Sequence, residues 1–229
     1  VYRVAKIFSG DQQDARRLMK EAHLIKNLKH PHIPVIYDIE QNIGEDNDSI
    51  CIIEEYIDGK SLRQYVHDET DTRGYLSVHE ICRIGIELCC ILEYLHGYNG
   101  NGILHMDIKP DNIMLDKDGK IKLIDYDNAV EGNAGLTVES GSPLYAAPEQ
   151  YNREKAVIQS DIYSLGMVIL FMVSHGHIVT DENHKLSEIS SRYSSLYHVI
   201  NKSLHHEWGL RYSSVTYLKQ ELQSIMTVS

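Results

Sequence analysis

One stretch of this sequence concentrates groups able to do chemistry: His105-Met106-Asp107-Ile108-Lys109-Pro110-Asp111-Asn112-Ile113-Met114-Leu115, followed by Leu123-Ile124-Asp125-Tyr126-Asp127. It sets oxygen donors and one ammonium in a loop between a helical pattern and a hairpin pattern. Asp107 is a carboxylate able to accept a hydroxyl proton, and Lys109 an ammonium able to neutralise a transferring phosphoryl group. Asn112 and Asp125 offer the hard oxygen ligands that suit Mg2+. The set suits phosphoryl transfer. A polar surface loop with Pro110 as its turn former accounts for any two of these residues. Eleven ordered positions are not explained that way.

Holding such a loop in place takes a core, and the composition supplies one. The 229 residues are 42% hydrophobic and 24% charged, with 5 Pro and 15 Gly, as in an ordinary globule rather than a disordered chain. A domain of this size needs no disulfide or structural metal. The formal charge of −11 excludes bulk nucleic-acid binding and attraction to anionic membrane surfaces. Cys51, Cys82, Cys89 and Cys90 form no C-x-x-C pair, so a reducing, cytoplasmic setting fits best. The longest apolar run, Leu165 to Val173, is about half of what a bilayer span requires, and no signal-peptide pattern opens the chain. The 13 histidines show no zincin spacing and read as polar loop residues, so no structural metal is expected.

The elements around the loop follow from periodicity. Val1 to Phe8 reads as a strand. Ala15, Leu18, Ala22, Ile25 and Leu28 recur at helical spacing until His30-Pro31 stops them. Val35 to Ile39 and Ile50 to Ile53 read as a hairpin around a solvated acidic tip, Glu45-Asp46-Asn47-Asp48. A second subdomain begins near Lys60. There Ser77-x-x-Glu80 is a capping box ahead of Ile81, Ile84, Leu88, Ile91 and Leu95. Ile113 to Leu115 and Lys120 to Ile124 form another hairpin through Lys117-Asp118-Gly119. Asp161 to Ser174 is apolar on nearly every side and must be a buried spine, while the chain from Leu186 onward is helical and amphipathic with Ser-rich joints.

In this order the sequence resembles the protein kinase superfamily of the eukaryotic Ser/Thr type, of which bacterial members are known. His105 to Asn112 resembles the catalytic loop, Val4-Ala5-Lys6 the strand with the phosphate lysine, and Lys20-Glu21-Ala22 through His30-Pro31 the helix with its partner glutamate. Glu55-Tyr56-Ile57-Asp58-Gly59 is similar to the hinge, Gly141 to Glu149 to the segment ending in Ala-Pro-Glu, and Ser160 to Gly166 to the buried helix. Arg211 stands where the family pairs an arginine with the glutamate, here Glu149. The resemblance implies an α+β, bilobal fold: residues 1–55 a partial β-rich small lobe with one helix, 56–60 a hinge, and 61–229 a larger, mainly helical lobe.

What the resemblance implies about the site extends the reading of the loop. Asp107 is the base, Lys109 and Asn112 assist it, and Asn112 with Asp125 binds Mg2+. Lys6 holds the ATP phosphates, Glu21 orients Lys6, and Glu55 and Ile57 face the adenine. Asp161 holds the catalytic-loop backbone. Lys109 together with Ser142 matches the arrangement for serine or threonine acceptors on proteins. A pseudokinase or scaffold, and a small-molecule phosphotransferase, are the competing readings. The first lacks one of Lys6, Asp107, Asn112 or Asp125 as a rule, and the second lacks Ala147-Pro148-Glu149 and Arg211.

Five departures stand out. No G-x-G-x-x-G precedes Lys6, so the hairpin that covers the nucleotide is expected upstream of Val1. The step from Lys6 to Glu21 is short. Asp127 replaces the glycine of Asp-Phe-Gly, and Glu54 occupies a normally apolar position behind the adenine, where it needs a partner. Met106 replaces the arginine that grips a phosphorylated loop, so activity is expected not to require phosphate on Thr137 or Ser140.

Overall fold

The computed structural model describes residues 2–9, 19, 22, 24–41, 49–132, 141–152, 155–177 and 191–228. Its smaller part is an antiparallel sheet of β1 (Arg3–Ser9), β2 (Ile36–Gln41) and β3 (Ser49–Glu55), with β3 in the middle. The β1–β3 ladder runs without a break from Arg3↔Glu55 to Ser9↔Ser49, whereas β2 carries a bulge between Ile36 and Asp38. Alternation puts Ile50 and Ile52 on the inner face, where they meet Ala22, Ile25 and Leu28 of the expected helix. Met19, Ala22 and residues 24–26 are helical, while Glu21 and the acidic tip lie outside the described residues.

Beyond Tyr56 to Asp58 the chain enters the larger part. Gly59 and Lys60, read as connector, join Ser61 in β4 (Gly59–Ser61), which pairs with β6 (Ile113–Asp116). Glycine is required at 59, because a Cβ there would lie 1.8 Å from the Leu115 carbonyl oxygen. β7 (Ile121–Leu123) completes that sheet, and β5 (Ile103–Leu104) pairs with β8 (Val130–Glu131). The helices α1 (Leu62–Arg73) and α2 (Val78–His96) each open with a capping box. In α2 the Glu80 N–H donates to Ser77 Oγ (3.1 Å), and the Ser77 N–H donates to Glu80 Oε2 (3.0 Å).

After α3 (Pro148–Tyr151) comes α4 (Ile158–Val173), then α5 (Tyr197–Ser203) and α6 (Val215–Val228). α4 begins three residues before the expected Asp161, which places that carboxylate in the first turn, where the helix dipole favours it. Ile81, Ile84, Leu88, Ile91 and Leu95 of α2 are all fully buried and share one core with Leu165, Ile169 and Met172 of α4. α6 packs on α2 at Gly85, where a Cβ would come within 2.9 Å of Leu222 Cδ1. Each such buried Leu or Ile contributes about 1.5–3 kcal/mol before chain entropy is charged against it. Among the described residues no helix is long and apolar enough to cross a membrane.

Candidate active site

Between β5 and β6 the backbone from His105 to Lys109 has no regular partner strand, so side chains must hold it. Asp161 reaches in from α4. Its Oδ2 accepts the His105 N–H (3.0 Å) and its Oδ1 the Met106 N–H (2.8 Å), while His96 Nε2 lies 2.9 Å from Oδ2. Burial pushes the Asp161 carboxyl up, but the His96 hydrogen bond and charge, with His105 and the Met106 N–H, hold it below its ordinary value. Met106 adopts a left-handed φ of 65°, a conformation that costs a non-glycine residue about 1–3 kcal/mol and survives only when pinned on several sides. Gln150 Nε2 supplies another pin by donating to the Met106 carbonyl (3.0 Å). The Met106 side chain is buried in a small cluster with Leu104, Val130 and Ala156.

That turn delivers Asp107. Its Oδ2 accepts from Lys109 Nζ (2.8 Å) and its Oδ1 from the Ser142 N–H (3.0 Å). Asn112 Nδ2 donates to the Asp107 carbonyl (2.9 Å) and to Oδ2 (3.2 Å). Lys109 Nζ also reaches Ser142 Oγ (2.7 Å), so loop, ammonium and the Gly141-Ser142 segment form one network. Burial alone pushes the Asp107 carboxyl up. The bonds from Lys109 and Ser142, with the Lys109 charge, bring it below the ordinary carboxylate value. Asp107 is therefore an ionised acceptor at neutral pH.

Asp125 comes from the far end of the β6–β7 hairpin, where the Ile124 N–H bonds the Asn112 carbonyl (2.9 Å). It too is left-handed, with φ 65°. Burial raises its pKa, the neighbouring Asp127 charge and hydrogen bond raise it further, Lys6 opposes, and Asp107 adds to the rise. The negative charges of Asp127 and Asp107 thus outweigh the Lys6 ammonium at Asp125. With its Nδ2 bonded to Asp107, Asn112 keeps Oδ1 as its remaining acceptor, and the oxygens of Asn112 and Asp125 are of the hard type that suits Mg2+.

Adjacent glutamates at the end of β3 point to opposite faces. Glu54 lies 3.3 Å from Lys6 Nζ on the inner face, which supplies the partner that its sequence position demands. On the other face Glu55 Oε2 accepts from Lys122 Nζ of β7 (2.7 Å) and from the Val35 N–H (3.2 Å). The Glu55 side chain thus ties sheet to hairpin, and its N–H donates to the Val35 carbonyl (2.9 Å). Ile57 lies half-buried in the connecting segment.

Behind the site Arg211 grips Glu149 with two bonds of 2.7 and 2.8 Å, both side chains buried. Ser160 Oγ donates to the same carboxylate (2.7 Å). Burial raises Glu149, but Arg211 and Ser160 bring it below its ordinary value. The structure thus brings Asp107, Lys109, Asn112 and Ser142 into direct contact and sets Asp125 and Lys6 within electrostatic reach. His96 and Gln150 are the supports that the motif reading passes over. For Gln150 the sequence pattern is silent, because Ala147 at the N-cap has no side-chain oxygen to complete a capping box; the fold shows its Oε1 accepting the Ala147 N–H (3.0 Å).

Comparison with known proteins follows the same outline. The protein kinase domain family matches residues 3–228. The chain is 33% identical over 184 residues to the serine/threonine-protein kinase PrkC of Bacillus subtilis, covering 79% of this chain and 26% of that protein. It is 32% identical over 166 residues to the human serine/threonine-protein kinase Nek2, covering 70% of this chain and 37% of that one. The chain thus spans only a minor share of these relatives. A crystal structure of the Mycobacterium tuberculosis PknI kinase domain superposes with a TM-score of 0.77 at 22% identity, over 97% of this chain and 85% of that chain. At that identity the superposition establishes the bilobal α+β fold.

Proposed function

The chain belongs to the protein kinase domain family, and from that premise we propose that it transfers the γ-phosphate of ATP to serine or threonine hydroxyls of proteins. The observation that carries the reading is the closed network of Asp107, Lys109, Asn112 and Ser142. Asp107, ionised and oriented by three donors, accepts the proton of the incoming hydroxyl at Oδ1 or Oδ2 as the oxygen attacks phosphorus. Lys109, already between Asp107 and Ser142, offsets the charge that builds on the transferring group. Lys6 holds the phosphate chain, and the backbone at Glu55 and Ile57 receives the adenine. Mg2+, held by Asn112 and Asp125, would supply charge neutralisation between the phosphates. No further step is needed, because phosphoryl transfer asks a protein mainly for placement and charge.

Favouring serine and threonine acceptors, Lys109 and Ser142 touch each other beside Asp107, and the named relatives are serine/threonine kinases. The thiols Cys51, Cys82, Cys89 and Cys90 are free, three of them buried, which supports a reducing cytoplasm as the place of action. The test is transfer of labelled γ-phosphate to a mixed peptide library, followed by phosphoamino-acid analysis, against Asp107→Asn. Phosphoserine or phosphothreonine from the wild type alone is the expected result. ATP binding without transfer would instead place the chain among scaffolds that keep only the fold.

A further inference from the structure

Glu54 is a carboxylate on the inner face of a central strand, in line with Ile50 and Ile52, which are 6% and 1% exposed. Its own side chain keeps 13% exposure. An unpaired charge there is strongly unfavourable. The ladder resolves this: Lys6 of β1 stands opposite Ile52, and Val4 opposite Glu54, so Lys6 and Glu54 are diagonal neighbours on one face. Their charged atoms are 3.3 Å apart. Lys6 also acts on Asp125 across the cleft, so its ammonium stands between a sheet carboxylate and a loop carboxylate.

We infer that Glu54 is a positioning residue for Lys6, holding the phosphate-binding ammonium from within the sheet, and that it makes no contact with the base of the nucleotide. The inference rests on the reading of Lys6 given above. Its physical basis is register. Slipping β1 against β3 by one residue would turn Lys6 to the outer face, and the unbroken ladder from Arg3↔Glu55 to Ser9↔Ser49 forbids that slip. A lysine stem has several free rotamers, and a partner fixed in the same ladder narrows that freedom before the phosphates arrive. Such an anchor does not depend on where the neighbouring helix stands. It leaves the hydrophobic contacts of the base untouched, and so acts only on ligands that bear phosphates.

That selectivity is what an experiment reads. Glu54→Gln, Glu54→Asp and Lys6→Met are made in the full chain, with melting as the check on folding, and Glu54→Met takes over if the glutamine variant fails to fold. Calorimetry then gives affinities for adenosine and for ADP and ATP with Mg2+. The expected result for Glu54→Gln is adenosine binding within twofold of wild type, ADP and ATP weaker by about tenfold, and partial recovery in Glu54→Asp. In the Lys6→Met background the same substitution changes nothing further. Equal losses for adenosine and ATP would overturn the inference, since Glu54 would then shape the base pocket. Unchanged or tighter ATP binding, or a full effect without Lys6, would also overturn it. If Lys6→Met itself leaves ATP binding and transfer intact, the assignment of Lys6 falls first, and with it the role of Glu54.

Discussion

Lys109 and Asp107, two residues apart in the chain, meet as ammonium and carboxylate at 2.8 Å, and the same ammonium lies 2.7 Å from Ser142 Oγ. As the proposed base, Asp107 is held in place before substrate arrives, with its pKa drawn down rather than up. The site therefore gains from placement and loses some intrinsic basicity, the balance expected where proton removal is late and charge stabilisation dominates.

Replacing Asp107 with Asn removes the proton acceptor and keeps the shape. Transfer should fall by about 10²–10⁴, the usual worth of a positioned base, while the melting temperature moves by no more than a few degrees. Steady-state transfer and a thermal melt on the same sample check both halves. Asp125→Asn should match the loss of rate through loss of metal affinity, visible as a raised requirement for Mg2+.

Acid should silence the proposed transfer before it unfolds the chain. With no cation bound, Asp125 has a raised pKa, from burial first and Asp127 second, so on acidification it takes up a proton ahead of ordinary carboxylates and a proton then competes with the cation it is proposed to hold. Asp161 and Glu149 have lowered values. Their stabilisation is complete above the ordinary carboxylate range, about pH 4, and disappears only as pH falls through their folded values. The acid limb of kcat/KM should thus lie above the acid unfolding transition followed by circular dichroism. Asp127→Asn should move that limb to lower pH, and a limb coincident with unfolding would count against the assignment.

Arg211 and Glu149 form a buried pair, so removing one member leaves an unpaired buried charge. Arg211→Ala should cost about 3–5 kcal/mol in denaturant unfolding. Arg211→Met combined with Glu149→Leu should recover much of it, because a packed apolar pair needs no compensation.

Much of this was legible in the sequence, for reasons tied to particular residues. α2 announces itself because Ser77-x-x-Glu80 and a strict helical period agree, and the catalytic loop because its residue types sit at fixed steps. The destination of a side chain is another matter. Nothing local distinguishes Glu54, which meets Lys6, from Glu55, which meets Lys122; the strand's alternation decides, and it becomes visible only once β1 and β7 are placed. His96 is likewise an ordinary helix-end histidine until α4 brings Asp161 to it. Glu21, Thr137 and Ser140 lie outside the described residues.

Met106 carries a prediction about regulation. Its side chain packs with Leu104, Val130 and Ala156, so apolar contact joins the catalytic loop to β8 at the place where the family's arginine would take a phosphate. Thr137→Ala and Ser140→Ala should leave basal transfer nearly unchanged. Met106→Ala should destabilise the protein by about 2–5 kcal/mol and lower activity through the loosened loop. A large loss in the Thr137 or Ser140 variant, restored by a carboxylate there, would show that another basic residue receives the phosphate.

The tie between Glu55 and Lys122 does not stand alone. His32 Nδ1 donates to the Ile121 carbonyl (2.6 Å), and the Leu123 N–H donates to the His32 carbonyl (3.0 Å). One border of the cleft is thereby stitched shut by bonds between the small sheet's flank and β7. A rotation of the small part must either break these stitches or turn about them, like a book cover about its spine. Turning about them requires no broken bond, so the far edge of the cleft is the one free to swing widest.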